Sequence, residues 1–325
     1  MIVTVTPNPS IDRTVTLGSR LTRGAVQRIT SATSEPGGKG VNVARALTLA
    51  GVDAIAILPA ADTDPIVTAL RTGGVDFRCV PVTGAVRTNV AITEPDGTTT
   101  KLNEPGALLD AAARDALTRT VLDAAAGAAW VVLSGSLPPG LPDDWYAEIA
   151  ASLAPGRCKV AIDTSERPLG ALAAAFRTAA PDVIKPNAEE LAGLVGVSGD
   201  DLESAAAAGD PEPVVAAARE VIERGARTVL VTLGAAGAVL VDENGSWMAT
   251  PPPITPRSTV GAGDSSLAGY LRAEVGGAEP PQRLQMAVAY GSAAAALPGS
   301  ALPAPHQIDL NAVRVYAITP ASTRP

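Results

Sequence analysis

Asp182-Val183-Ile184-Lys185-Pro186-Asn187-Ala188-Glu189-Glu190-Leu191 holds the pattern that decides the fold. An apolar strand at 182–185 ends on a lysine and a proline, and a helix at 187–195 begins at once. Polar residues at such a junction lie at a carboxyl end of the sheet, where open α/β folds bind ligands. Outward from here the same alternation repeats. Strands are expected at 2–6, 54–58, 77–80, 129–133, 159–163 and 228–232. Helices are expected at 39–50, 63–72, 110–125, 143–152, 212–224, 263–275 and 282–296. This rhythm predicts an α/β fold with a mostly parallel sheet between two helical layers.

Two regions break the rhythm. Residues 13–17 and 26–31 are polar, β-branched and without helical period, as exposed strands are. Segments 86–93 and 98–103 flank Pro95-Asp96-Gly97, a strong hairpin signal. Together they predict a small β-sheet, inserted from about 12–32 and 86–104, standing over the main domain as a lid. The main domain is expected to fill 1–315, with a short frayed tail at 316–325.

Composition excludes several classes. The net charge is −8 and no basic arm or stripe occurs, so nucleic acid is not the partner. Ile2 to Thr6 is too short and uncharged at its start to be a signal peptide. No apolar run approaches the roughly 18 residues of a membrane span, and a cytoplasmic protein is expected. Cys79 and Cys158 are too few for a disulfide framework and are expected in the core. The single histidine, His306, lies in a proline-rich stretch and is expected to face solvent.

Lysine is scarce: Lys39, Lys101, Lys159 and Lys185 are all there are. Lys39 stands in Pro36-Gly37-Gly38-Lys39-Gly40-Val41-Asn42-Val43-Ala44, a glycine turn opening a helix. Bare backbone amides, a helix N-terminus and a lysine make an anion site, although a plain turn has the same composition. No Ser or Thr follows the lysine, so it is not a Walker loop. Ser258-Thr259-Val260-Gly261-Ala262-Gly263-Asp264-Ser265 places a carboxylate in the first turn of another helix. An acidic residue there is ordinary. It also suits a general base beside an amide-lined anion hole, the two parts phosphoryl transfer needs together. Asn187 and Glu190 share a helix face and can hold Mg²⁺ through water; Asn187 can equally be a simple cap. Thr232-Leu233-Gly234-Ala235-Ala236-Gly237 reads alone as a turn into the next strand. Asn8-Pro9-Ser10-Ile11-Asp12 offers Asp12 to sugar hydroxyls or to a turn.

In order and in register, these motifs resemble the phosphofructokinase-B group of ribokinase-like carbohydrate kinases over residues 1 to 315, as does Ser134-Gly135-Ser136-Leu137-Pro138-Pro139-Gly140. The resemblance implies a ribokinase-like three-layer α/β/α domain with a β-sheet lid, using ATP and Mg²⁺. It implies Asp264 as catalytic base, with the amides of Gly261, Ala262 and Gly263 as the anion hole. Lys185, Asn187, Glu190, Thr232, Gly234, Gly237 and Ser258 are implied at the ATP, Glu190 also at Mg²⁺ through water. The group more often has serine where Thr232 stands. Asp12, Gly38, Lys39, Asn42, Arg87, Asn89, Lys101 and Ser136 are implied at a sugar phosphate.

Within the group, Thr6 to Thr14 and Arg87-Thr88-Asn89-Val90 resemble the 1-phosphofructokinases, and the Gly37-Gly38-Lys39-Gly40 turn resembles both these and the tagatose-6-phosphate kinases. The 1-phosphofructokinases phosphorylate the 6-hydroxyl of fructose 1-phosphate. Tagatose-6-phosphate kinase and 6-phosphofructokinase are the alternatives within the group. A nucleotide-binding regulator that has lost catalysis is the alternative outside it. Lys39, Arg87 and Lys101 are expected to converge on the substrate phosphate, although some relatives lack a lysine at the last position. A lid with one apolar face is expected to pair with a second copy as a homodimer.

Overall fold

Strands at the centre of the sheet are apolar on both faces because helices cover both. The computed structural model describes residues 1–319. The chain opens with β1 (Ile2–Val5), whose four residues are all buried. It then leaves the core for β2 (Ser10–Leu17) and β3 (Ile29–Gly37) and returns as α1 (Lys39–Leu49). β4 (Ala54–Pro59), α2 (Pro65–Thr72) and β5 (Asp76–Val80) complete the first edge of the sheet. β6 (Arg87–Thr93) and β7 (Thr99–Asn103) form the expected hairpin, its turn closed by Thr98 N donating to Asp96 Oδ1 at 2.9 Å.

From there the chain alternates through α3 (Ala111–Ala125), β8 (Trp130–Ser134), α4 (Trp145–Leu153) and β9 (Lys159–Asp163). α5 (Glu166–Ala174), β10 (Val183–Ile184), α6 (Ala188–Val195), α7 (Gly199–Ala207) and α8 (Glu212–Glu223) follow. Then come β11 (Val229–Thr232), β12 (Ala238–Asp242), β13 (Gly245–Thr250), α9 (Ala262–Val275), α10 (Pro280–Ala295) and β14 (Arg314–Ala317).

The ten-stranded sheet has the order β14-β13-β12-β11-β10-β9-β8-β1-β4-β5. It is parallel from β11 to β5 and antiparallel from β11 to β14. One face packs on α3, α4, α5, α6 and α8 around Val131, Leu133, Trp145 and Tyr146. The other packs on α9 and α10, with α1 contributing Val43 and Leu47. The lid is a separate four-stranded sheet, β3-β2-β6-β7. No helix among the described residues is long and apolar enough to cross a membrane.

Several expectations need correction. The lid strands expected at 13–17 and 26–31 run 10–17 and 29–37, and 26–28 lies outside them. Register explains the extension: Ser10 pairs with Gly37 and Ile11 with Pro36. The glycine motif is therefore half strand. Only Gly38, at φ +102°, makes the turn into α1. Gly40 is already helical, and a Cβ there would meet the Val5 carbonyl at 2.7 Å.

β12 is the strand that the 232–237 turn leads into, but β13, β14 and the helices α5 and α7 lie where no element was expected. Residues 314–317, expected to be at or near a frayed end, form an edge strand: Met248 pairs with Tyr316 and Ala249 with Val315. Most of the tail beyond lies outside the described residues. Cys79 and Cys158 are half-buried free thiols rather than core residues.

Candidate active site

The carboxyl ends of β1, β8, β9, β10 and β11 open into one cleft of about 1210 Å³, which the lid borders on one side. That exceeds the usual range of a few hundred to about 1,000 Å³ for a single small-ligand site, so there is room for two ligands.

Asp264 lines this cleft. Gly261 adopts the left-handed conformation at φ 76° and caps α9, which brings Asp264 into the helix's first turn with 6 % exposure. Asn42, one turn into α1, donates Nδ2 to Asp264 Oδ2 at 2.9 Å, across 222 residues of sequence. Burial and the nearby negative charge of Asp163 push the Asp264 carboxyl up to about 6. The charges of Lys39 and Lys185 and the Asn42 hydrogen bond work the other way. A carboxylate with that pKa is ionised at neutral pH yet basic enough to take a proton.

Beside it lies a charge cluster whose centre was not foreseen. Asp163 closes β9 and is 1 % exposed. Lys39 donates Nζ to its Oδ1 at 2.7 Å. Lys185 Nζ lies 3.0 Å from Oδ2 as an ion pair whose angle falls short of a hydrogen bond. Burial alone would raise the Asp163 pKa; the two ammonium groups outweigh it and hold the carboxyl below its usual value. Burial disfavours the charged form of Lys39, but Asp163, Asp264 and Glu190 together raise its pKa. Lys185 Nζ points at the start of α9, where a Cβ on Gly263 would lie 3.3 Å from it. Sequence offered one signal for Asp163: two rare lysines placed at strand and helix ends require a counter-charge.

At the lid end, side chains hold one another. Asp12 and Asn89 are register partners on β2 and β6, and Asn89 Nδ2 donates to Asp12 Oδ1 at 3.1 Å. Arg87 donates to the Asn8 carbonyl at 3.1 Å, to the Glu104 carbonyl at 3.1 Å and to Ser136 Oγ at 3.5 Å. Asn8 Nδ2 reaches Ser136 Oγ at 3.2 Å. Gly38, Lys39 and Asn42 face the same space, as do Asn8 and Asn103 among residues given no role.

At the other end the lining is Asn187, Glu190, Thr232, Gly234 and Gly237, with Glu203 and Pro251 to Pro253 unforeseen. Asn187 and Glu190 form a capping box: Asn187 Oδ1 accepts from Glu190 N at 2.8 Å, and Glu190 Oε2 accepts from Asn187 N at 2.9 Å. The cap reading of Asn187 therefore holds, and it fixes Glu190 at the cleft.

Two predicted residues do not reach the cleft. Ser258 is occupied locally, its Oγ accepting from Val260 N at 3.2 Å. Lys101 pairs with Ala91 on the lid, farther from the cleft than the Asn89–Asn103 pair, and is exposed. Of the three cations expected at the phosphate, Lys39 and Arg87 line the cleft, one paired with Asp163 and the other bonded to backbone carbonyls, while Lys101 stands outside.

Residues 6–307 match the model of the pfkB family of carbohydrate kinases. A 1-phosphofructokinase from Rhodobacter capsulatus is 38 % identical over 94 % of this chain and 94 % of its own. The crystal structure of phosphofructokinase-2 from Escherichia coli in complex with substrates and products superposes with a TM-score of 0.85. It is 31 % identical and covers 94 % of this chain and 96 % of its own. Ribokinase from Thermotoga maritima shares the fold with a TM-score of 0.72 over 95 % of this chain and 97 % of its own, at 19 % identity.

Proposed function

The chain belongs to the pfkB family of carbohydrate kinases, and we propose that it transfers the γ-phosphoryl group of ATP to the 6-hydroxyl of fructose 1-phosphate. The products are fructose 1,6-bisphosphate and ADP. The observation that carries the reaction is Asp264, buried near the junction of two dissimilar halves of one cleft. The identity to a 1-phosphofructokinase along nearly the whole chain supports the choice of sugar.

The lid half takes the sugar phosphate. Asp12, Asn42 and Asn89 supply partners for hydroxyls, and Arg87, Lys39 and Ser136 supply donors for the phosphate. The far half takes the nucleotide, its phosphates against Lys185 and the start of α9. Ala262 N–H is drawn into a long 3.4 Å contact with the Thr259 carbonyl, so the anion hole rests chiefly on the Gly261 and Gly263 amides and the helix dipole. Asp264 accepts the proton of the 6-hydroxyl as that oxygen attacks the γ-phosphorus in line. Lid closure excludes water from the same space.

Among the described residues, no group of three or more His, Cys, Asp or Glu side chains is placed to hold a metal. Glu190, held by its capping box, faces the nucleotide end of the cleft beside Glu189 and Glu203. That donor set fits Mg²⁺ carried by the nucleotide and keeping most of its water, with Glu190 in its outer shell. When bound, the ion neutralises charge on the transferring phosphate.

Leu21, Val26, Ile29 and Leu102 leave apolar surface exposed on the lid, which supports pairing of two copies there. Sedimentation at the mass of a monomer would remove the dimer.

The reading is tested with a panel of fructose 1-phosphate, fructose 6-phosphate and tagatose 6-phosphate, each with Mg-ATP and coupled ADP detection. The expected result is the highest kcat/KM on fructose 1-phosphate. A higher value on either 6-phosphate sugar would reassign the substrate, and no turnover with any of them would remove the kinase reading.

A further inference from the structure

Asp163 has no place in the transfer just described, yet it is among the most deeply buried charges in the cleft. An isolated carboxylate there would be costly; it persists because two cations face it. Those cations come from opposite halves. Lys39 is the first residue of α1, at the lid end. Lys185 follows β10 and points its Nζ at the Gly263 position, at the nucleotide end. One carboxylate oxygen meets each: Oδ1 at 2.7 Å and Oδ2 at 3.0 Å. The main chain adds a third tie. The Asp163 carbonyl accepts from Gly135 N at 2.9 Å, which fixes the loop that presents Ser136. Thr164 Oγ1 and Tyr146 Oη both donate to the Gly135 carbonyl, at 2.9 and 3.0 Å, so that loop has little freedom.

We propose that Asp163 is a positioning residue that anchors Lys39 and Lys185 on one carboxylate and so sets the geometry of the sugar-phosphate and nucleotide halves together. Two lysines with separate partners would adjust independently. With a shared anchor, loss of the carboxylate releases both ammonium groups at once and leaves their positive charges to repel each other. The anchor also acts on the base. The groups facing Asp264 are Asn42 and Lys39 from α1, Asp163 from β9 and Lys185 beyond β10. Removing the Asp163 charge from that set takes away the negative neighbour that holds the Asp264 proton.

The inference rests on the kinase reading, and the experiment separates the two. Initial rates are measured over a matrix of fructose 1-phosphate and Mg-ATP concentrations, from pH 5 to pH 9. The chains compared are the wild type, Lys39→Ala, Lys185→Ala and Asp163→Asn. Lys39→Ala is expected to raise KM mainly for the sugar phosphate, and Lys185→Ala mainly for ATP. Asp163→Asn is expected to raise both, each by about tenfold. Its acid limb in log kcat/KM should also move to lower pH, which loss of packing alone would not do. Should Asp163→Asn fail to fold by circular dichroism, Asp163→Glu keeps the charge and moves the anchor by one methylene. Both KM values should then rise while the acid limb stays in place. A variant at Asp163 that raises KM for only one substrate overturns the shared anchor. An inactive wild type would instead sink the kinase reading, and the anchor with it.

Discussion

The two ends of the cleft are built from different material. The lid end is made of side chains that hold one another across long sequence distances: Asn8 reaches Ser136 across 128 residues and Asn89 reaches Asp12 across 77. The nucleotide end is made mostly of main chain: the glycines at 234, 237, 261 and 263, the proline run at 251–253 and a helix N-terminus. Backbone amides recognise phosphate whatever carries it, whereas a fixed set of carboxylate, amide and guanidinium groups recognises one arrangement of hydroxyls. In the proposed reaction, selectivity for the sugar would thus reside in the lid end, and the general capacity to hold a triphosphate in the other.

Asp264 lies between the two, and the largest expected effect belongs to it. Asp264→Asn keeps the side chain's size and an acceptor for Asn42, but it cannot take a proton. Its kcat should fall by about 10²–10⁴-fold, with the affinity for ATP changed little. Single-turnover rates and nucleotide titration measure the two separately. In the wild type, activity should fall as pH drops through about 6, where the carboxyl gains its proton. Near-normal turnover of the variant would erase the distinction between a junction that reacts and ends that merely bind.

The same contrast explains what was legible in the sequence. Features built from contiguous residues could be read: the strand–lysine–helix unit at 182–191, the Pro95-Asp96-Gly97 hairpin and the Gly-Ala-Gly start of α9. Features made by distant segments could not. Asp163 is the last residue of an ordinary strand, and its meaning appears only when β9 lies between β8 and β10. Lys39 then arrives from 124 residues away. The antiparallel edge was hidden by the rhythm of the rest. Ala238 to Thr250 contains an Asn-Gly turn between apolar runs, but the surrounding alternation favoured strands separated by helices. Asp242 Oδ1 fixes that turn by accepting from Asn244 N at 2.7 Å and Gly245 N at 3.1 Å. Ser258 was misplaced for the opposite reason: it belongs to a contiguous motif, but its hydroxyl turns back on its own loop.

A smaller effect separates Asp264 from the surface carboxylates. Its folded pKa, about 6, lies above its ordinary value of 3.8, so the folded chain binds this proton more tightly than the unfolded chain does. The favourable contribution is complete below 3.8 and is lost as pH rises through about 6. At pH 8 the buried charge then costs about 1–3 kcal/mol. Asp264→Asn removes that charge, so the inactive variant should unfold at a higher temperature than the wild type at pH 8. At pH 5, between the two pKa values, the difference should shrink to about half, because the unfolded carboxyl already ionises there while the folded one keeps its proton. Thermal unfolding at the two pH values measures it, at about 1–2 °C per kcal/mol for a chain of this size. Equal shifts at both pH values would mean that the effect comes from packing rather than charge.

The smallest effect tests where the lid end stops. Lys101 and Asn103 share one face of β7, but only Asn103 lines the cleft. Successive rows on that face are about 6–7 Å apart, from a rise of about 3.3 Å per residue. An exposed ammonium one row out is partly screened, since the Debye length in physiological salt is about 8 Å. Lys101→Ala should therefore raise KM for fructose 1-phosphate by less than about threefold and leave KM for ATP unchanged, as is usual for an exposed charge. A tenfold rise would carry a different message. The lysine stem is long enough to span one row, so a lid that advances by that distance on a bound sugar phosphate would bring Lys101 beside Arg87 and Ser136. The boundary of the sugar end would then be set by lid movement rather than by strand register, and the contrast between the two ends would be one of motion as well as of material.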